Sequence, residues 1–161
     1  MSSRRLHFKD RCRSRAFTLL ELMTTITICG LVAGIAFPAY RSVAERQRLQ
    51  VVVNDLTLIA MKVQGSYAKD FRYPESLEAV GLGDMRDPWG NPYRYLAFDS
   101  GIPGIKGKIR KDHNLHPINS DFDLYGMGPD GDSKSPLTAK ASRDDILWAR
   151  DGAFIGPASE F

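Results

Sequence analysis

Residues 15–23 read Arg15-Ala16-Phe17-Thr18-Leu19-Leu20-Glu21-Leu22-Met23, and the apolar run that they open continues to Tyr40. Glu21 is the one charged residue among the 24 from Phe17 to Tyr40. At about 1.5 Å per residue the run makes a helix of roughly 36 Å, longer than the ~30 Å hydrocarbon core of a bilayer, so a membrane span is predicted. A secretory signal places its small-residue cleavage site after the apolar stretch. Here Ala16 comes before it, directly behind a basic segment, so a cut at that point would leave the span on the mature chain. Glu21 is the second anomaly. A carboxylate inside an apolar helix costs roughly 2.5–3.5 kcal/mol on insertion scales and calls for a partner or a polar setting. An α-amino group freed at Phe17 is cationic at neutral pH and is one candidate for that partner.

Basic leader, small residue, Phe17-Thr18-Leu19-Leu20-Glu21 and long apolar helix together resemble the class III signal of type IV pilins and of the pseudopilins of type II secretion. The resemblance implies that a prepilin peptidase cuts between Ala16 and Phe17 and N-methylates Phe17. It also implies that Glu21 meets the Phe17 amine of a neighbouring subunit during filament assembly. Ala16 stands where that family usually has Gly.

The charge distribution follows the same division. Residues 1–16 hold six basic residues (Arg4, Arg5, Lys9, Arg11, Arg13, Arg15) against Asp10, a net of +5. The rest of the chain has 16 basic against 18 acidic residues, a net of −2, so the overall +3 belongs to the leader. By the positive-inside rule the leader faces the cytoplasm and the residues after Tyr40 are translocated. A basic run beside a span is a topology signal, and no nucleic-acid partner is expected. Cys12 lies in the leader and Cys29 in the span, so residues 41–161 can form no intrachain disulfide. A small domain without one often needs another clamp.

Within the span, Gly30 and Gly34 form a G-x-x-x-G pair that would let a second helix approach, and the hydroxyls of Thr18, Thr24, Thr25 and Thr27 can return to the helix backbone. Pro38, which has no N–H, is expected to kink or loosen the helix near the outer interface. Beyond the span the pattern becomes amphipathic. Leu49, Val52, Val53, Leu56, Ile59, Ala60, Val63 and Tyr67 recur every three or four residues, so one side of a continuing helix is buried. The helix is predicted to end near Lys69, followed by a short helix from Pro74 to Val80 that Gly81 and Gly83 stop.

Asp87-Pro88-Trp89-Gly90-Asn91-Pro92 is turn chemistry leading into a strand, Tyr93 to Phe98, and Phe122 to Met127 alternates as a second strand. The intervening Asp99 to Asp121, rich in Gly and Lys, is predicted to be an exposed excursion. The combination of Asp87-Pro88-Trp89-Gly90-Asn91-Pro92-Tyr93 with Phe122-Asp123-Leu124-Tyr125-Gly126-Met127-Gly128-Pro129-Asp130-Gly131 resembles the major pseudopilins of type II secretion specifically. Ile102 to Asn119 is longer and more basic than is usual between those motifs.

Asp130, Asp132, Asp144 and Asp145 form an acidic cluster around a Gly- and Pro-containing loop. Taken alone, the cluster reads first as a solvated acidic turn, and a calcium loop is the second possibility, since calcium takes six to eight oxygen ligands. It is not an EF-hand, because Lys134 and Ser135 fall at a ligand position and at the required glycine. The family resemblance implies one calcium ion here, with Asp130, Asp144 and Asp145 as side-chain ligands and Met127 as a carbonyl ligand; Asp132 and Ser133 are not assigned. Gly126, Gly128 and Gly131 match a dinucleotide fingerprint but open no helix and sit among carboxylates, so they read as turn residues. His113 and His116 have no Cys partner and read as exposed. No nucleophile elbow, zinc-protease helix or phosphate loop occurs, and an enzyme is not expected.

The expected fold class is α+β and pilin-like, a long N-terminal transmembrane and amphipathic helix packed on a small, three-stranded antiparallel β-sheet. Its domains are a cleaved leader (1–16), a transmembrane and assembly helix (17–40) and a periplasmic domain (41–161). By resemblance the chain is a type II secretion pseudopilus subunit: a single-pass inner-membrane protein with a cytoplasmic N-terminus that forms a homo-oligomeric filament. Its implied partners are the prepilin peptidase, minor pseudopilins, an inner-membrane platform protein and membrane lipid, and its function is export across the outer membrane. Two alternatives stay open: a type IV pilin or minor pilin for adhesion, motility or DNA uptake, and a membrane-anchored periplasmic calcium-binding module or enzyme that never polymerises.

Overall fold

The computed structural model describes residues 17–101 and 103–161, and the chain divides into a unit ending at Ser42 and a second unit, Val43–Phe161. Helix α1 runs from Leu19 to Asp70, with Pro38 inside it. It is the one helix among the described residues long and apolar enough to cross a membrane, and none of its most apolar window is buried. The hydroxyls of Thr24, Thr25 and Thr27 donate to the carbonyls of Glu21, Leu22 and Met23 at 2.8–3.0 Å, which satisfies them inside an apolar segment. At its far end Phe71 takes the left-handed conformation (φ 52°) and its N–H still reaches the Tyr67 carbonyl at 2.8 Å, closing the last turn.

In the second unit, four strands follow in chain order: β1 (Arg94–Ala97), β2 (Phe122–Gly126), β3 (Ile146–Ala149) and β4 (Phe154–Pro157). They pair antiparallel as a meander, β1-β2-β3-β4. Tyr95 faces Leu124, Leu124 faces Trp148, and Trp148 faces Ile155. The sheet therefore has one strand more than the three predicted. Gly156 and Pro157 disguise β4 in the sequence. It forms because β3 would otherwise present an open edge, and Pro157 is tolerated at the end of the outermost strand.

The period-two alternation sends Phe122, Leu124, Ile146 and Trp148 into one core with Val52, Leu56, Ile59, Ala60 and Val63 of α1, together with Leu77 and Tyr93. Leu49 and Val53 pack at its margin, and Tyr67 stacks on Tyr73 with ring centroids 4.5 Å apart. The predicted stripe is the buried face. Each fully buried Val, Leu or Ile there contributes about 1.5–3 kcal/mol of burial free energy. On the sheet's other face Leu147 and Ala149 pack with Ile118, Leu137 and Ala158. The excursion 99–121 thus supplies part of a second core layer rather than being wholly exposed, with Arg110, Ile118 and Asn119 buried. The helix predicted from Pro74 shortens to one 3-10 turn, Glu78–Val80, ended by Gly81 at φ 75°.

Candidate functional site: the N-terminal helix and the acidic loop

The first unit begins with a cap that follows from the sequence. Thr18 precedes the helix and its Oγ1 accepts the Glu21 N–H at 3.2 Å, satisfying one of the four donors that every helix start leaves unpaired. Ala16 lies outside the described residues. Phe17 is exposed, and Glu21 stands in the first helical turn, a position the helix dipole favours for an anion. The Glu21 carboxylate has no partner among the described residues, and Leu19, Leu20, Leu22, Met23, Ile26, Ile28, Leu31, Val32 and Ile35 all leave most of their surface uncovered. Beyond the helix's own turn, Gly30 and Gly34 have none of the described residues within 4 Å of where a Cβ would stand. This segment is apolar on every side, so its cover comes from lipid or from other helices.

In the second unit the two sequence motifs meet. Asp87 Oδ1 accepts the N–H groups of Trp89 and Asn91 at 3.0 and 2.8 Å, which closes the turn, and Asn91 Nδ2 donates to the Gly128 carbonyl at 2.8 Å. Gly128, in the left-handed conformation at φ 66°, lies so close to Asp144 that an added Cβ would stand 2.3 Å from the Asp144 carbonyl oxygen. The loop after β2 and the approach to β3 are in backbone contact there.

The four residues that the resemblance gives to calcium are placed as follows. Met127 follows β2 and is buried, its sulfur accepting from Arg94 Nε at 3.3 Å. Asp130 is exposed; its N–H lies 3.3 Å from Asp144 Oδ2, while its own Oδ1 accepts the Asp132 N–H at 2.9 Å. Asp145 is fully buried, and its Oδ2 receives the Ser133 hydroxyl at 2.7 Å and Arg110 Nη2 at 2.5 Å. Asp130 and Asp144 are thus brought together, and Asp145 is directed to a guanidinium instead. Among the described residues no group of three or more acidic, His or Cys side chains converges on one point. Among the described residues Asp145 Oδ1 is buried without a hydrogen-bond partner, while Asp145 Oδ2 is taken by Ser133 and Arg110. A dication beside the Arg110 charge would also be repelled. The donor set does not fit the implied calcium ion.

Arg110 is the residue that sequence reasoning missed. It is 1% exposed; its backbone N–H donates to Asp123 Oδ2 at 2.6 Å, its Nη1 donates to Ser133 Oγ, and its guanidinium lies 4.1 Å from the centre of the Tyr125 ring. Nothing in Lys106, Lys108, Arg110 and Lys111 as a series distinguishes the one that turns inward. Asp123 did carry a signal, being an acid between Phe122 and Leu124 in a strand that disfavours Asp. Burial pushes its carboxyl up to about 6, against the opposing pull of the Arg110 N–H, Asn119 and the Arg110 charge. Burial also raises Asp145, with Arg110 opposing.

Residues 11–37 match the prokaryotic N-terminal methylation motif. Over 143 residues the chain is 30% identical to type II secretion system core protein G of Pseudomonas aeruginosa, covering 76% of this chain and 88% of that one. The chain belongs to the type II secretion core protein G family. Core protein G of Klebsiella pneumoniae is 27% identical over 155 residues, 83% of this chain and 93% of that protein. Type IV major pilin protein PilA of Myxococcus xanthus is 29% identical over only 83 residues, 52% of this chain and 36% of the pilin. No solved structure matches. The core protein G relatives thus span the helix and the sheet domain alike, and all these relatives bear the names of secretion or pilus proteins.

Proposed function

We propose that this chain is a structural subunit of a type II secretion pseudopilus, held in the inner membrane by α1 and assembled with copies of itself into a helical filament that drives protein export. The observation that carries the proposal is the N-terminal half of α1: apolar on every side and, among the described residues, without cover and bearing one carboxylate that has no partner. Prepilin peptidase cuts between Ala16 and Phe17 and methylates Phe17; the leader stays cytoplasmic and residues 41–161 lie in the periplasm. In the filament the Glu21 carboxylate meets the Phe17 amine of a neighbouring copy, which replaces an expensive isolated charge by an ion pair at low dielectric. Minor pseudopilins and an inner-membrane platform protein are its assembly partners, and the role is mechanical rather than enzymatic.

Glu21→Ala tests it. Removing the carboxylate eases insertion by roughly 2.5–3.5 kcal/mol, so the variant is expected in the membrane at parental level or above, yet without filaments. Filaments at the parental level, seen by electron microscopy of sheared fractions, would refute the assigned role of Glu21. Mass spectrometry of the mature chain, with Phe17 expected as a methylated first residue, checks processing separately.

A further inference from the structure

We infer that the Arg110 guanidinium is the built-in cation of the acidic loop, so that Val43–Phe161 holds its fold without a divalent ion. Asp123 and Asp145 are 1% and 0% exposed and lie in β2 and immediately before β3. A buried carboxylate loses its hydration, and Asp145 keeps its charge only with a cation or several donors beside it. Arg110 is the one Lys or Arg among the described residues that is fully buried; its guanidinium bonds Asp145 through Nη2 at 2.5 Å, while its neutral backbone N–H donates to Asp123 at 2.6 Å and anchors the residue to β2. A planar guanidinium suits this place better than an ammonium, since it bonds Asp145 and Ser133 through separate nitrogens while its face lies on Tyr125.

The backbone is arranged to keep it there. The Lys111 N–H donates to the Ser135 carbonyl at 3.0 Å, Ser135 Oγ donates to the Ile109 carbonyl at 2.5 Å, and the Ile118 N–H donates to the Arg110 carbonyl at 3.2 Å. The residues on either side of Arg110 are therefore tied to the segment that carries Ser133. The segment between the two sequence motifs thus carries a covalently attached positive charge to the carboxylate that resemblance would give to a metal.

The full chain in detergent is melted with chelator and again with excess calcium chloride, followed through the aromatic circular dichroism of the sheet domain. The parent chain is expected to melt at the same temperature in both. A saturating calcium site at about 100 times its Kd would raise the midpoint by roughly 10 °C, and such a saturable rise would overturn the inference. Arg110→Gln is expected to melt far lower or not to fold, because it leaves the buried Asp145 carboxylate with the Ser133 hydroxyl but without a cation. Arg110→Gln with Asp145→Asn removes both charges and is expected to recover about half of that loss or more. An Arg110→Gln chain as stable as the parent, or a double variant no better than the single one, would equally overturn it. None of these outcomes depends on filament assembly, which the Glu21 variant tests by itself.

Discussion

Phe122→Ala strikes the point where the core is densest in aromatic rings. Phe122 is 1% exposed, stacks on Trp148 with centroids 4.6 Å apart and planes 12° from parallel, and is met at a tilt by Tyr73 at 5.4 Å and Tyr95 at 5.7 Å. Truncating a buried Phe to Ala costs about 3–5 kcal/mol through lost burial and the cavity left behind. Three ring neighbours, two of them anchored by their own hydroxyl bonds, limit the collapse that would shrink that cavity. The upper half of the range is therefore expected, a fall in melting temperature of roughly 15–20 °C for a unit of this size. The assay is near-ultraviolet circular dichroism of the full chain in detergent, which reports the packing of Trp148, whereas the far-ultraviolet signal is dominated by α1 and is insensitive to the sheet. Met61→Ala, on the same helix but 66% exposed, serves as control and is expected within about 0.5 kcal/mol of the parent. A loss below about 1 kcal/mol for Phe122→Ala would show that the ring cluster is not the structural centre described here.

Gly128→Ala is expected to destabilise the sheet domain by at least about 2 kcal/mol, because it combines a left-handed backbone with a Cβ placed 2.3 Å from the Asp144 carbonyl oxygen. Gly81→Ala, at φ 75° with nothing within 4 Å, bears the backbone cost alone, and equal losses for the two in urea unfolding would remove the contact from the account. Asp123 gives a pH signature. Its folded-state pKa is raised from 3.8 to about 6, so the folded chain keeps this proton over an interval in which the unfolded chain has released it. Its contribution is fully present below 3.8 and is lost as pH rises to about 6, a decline of order 3 kcal/mol. Relative to the parent, Asp123→Asn is expected to flatten the stability profile across that interval, and parallel profiles would refute the shift.

Legibility from sequence followed the range of the interactions involved. The buried stripe of α1 was legible because helical periodicity is local: Val52, Leu56, Ile59, Ala60 and Val63 are buried where the spacing put them. β1 and β2 were legible for the same reason, through Tyr95, Phe122 and Leu124. β4 was not, since Phe154-Ile155 are cut short by the turn residues Gly156-Pro157 and the segment is completed as a strand by pairing with β3. The excursion 99–121 reads as exposed because its Ile residues, scattered among Gly, Lys, Asp and Asn, follow no helical or strand period, and which residues fold inward depends on a sheet face that no local pattern describes. For the candidate site the division is the same. Thr18 and Glu21 lie three residues apart and the cap between them can be read directly, whereas Arg110 and Asp145 are 35 positions apart and nothing in either neighbourhood announces the pair.

One helix lives in two environments, and its side chains register the change. From Leu19 to Phe37 the large apolar residues are all mostly exposed, with no preferred side, whereas from Val52 to Val63 five buried residues recur on a single face. A one-sided stripe is completed by the chain's own sheet and asks nothing of a partner. An all-round apolar surface cannot be completed by any single face, so it requires a surrounding medium, lipid before assembly and neighbouring helices after it. The transfer between those two media is nearly neutral for the apolar side chains, because hydrocarbon and packed helices resemble each other as solvents. It is far from neutral for Glu21, whose charge is costly in lipid and is relieved only by an opposite charge. On the proposed function, a single carboxylate in an otherwise indifferent surface would suffice to bias the helix toward one set of neighbours, and its place in the first turn would set the register at which they meet.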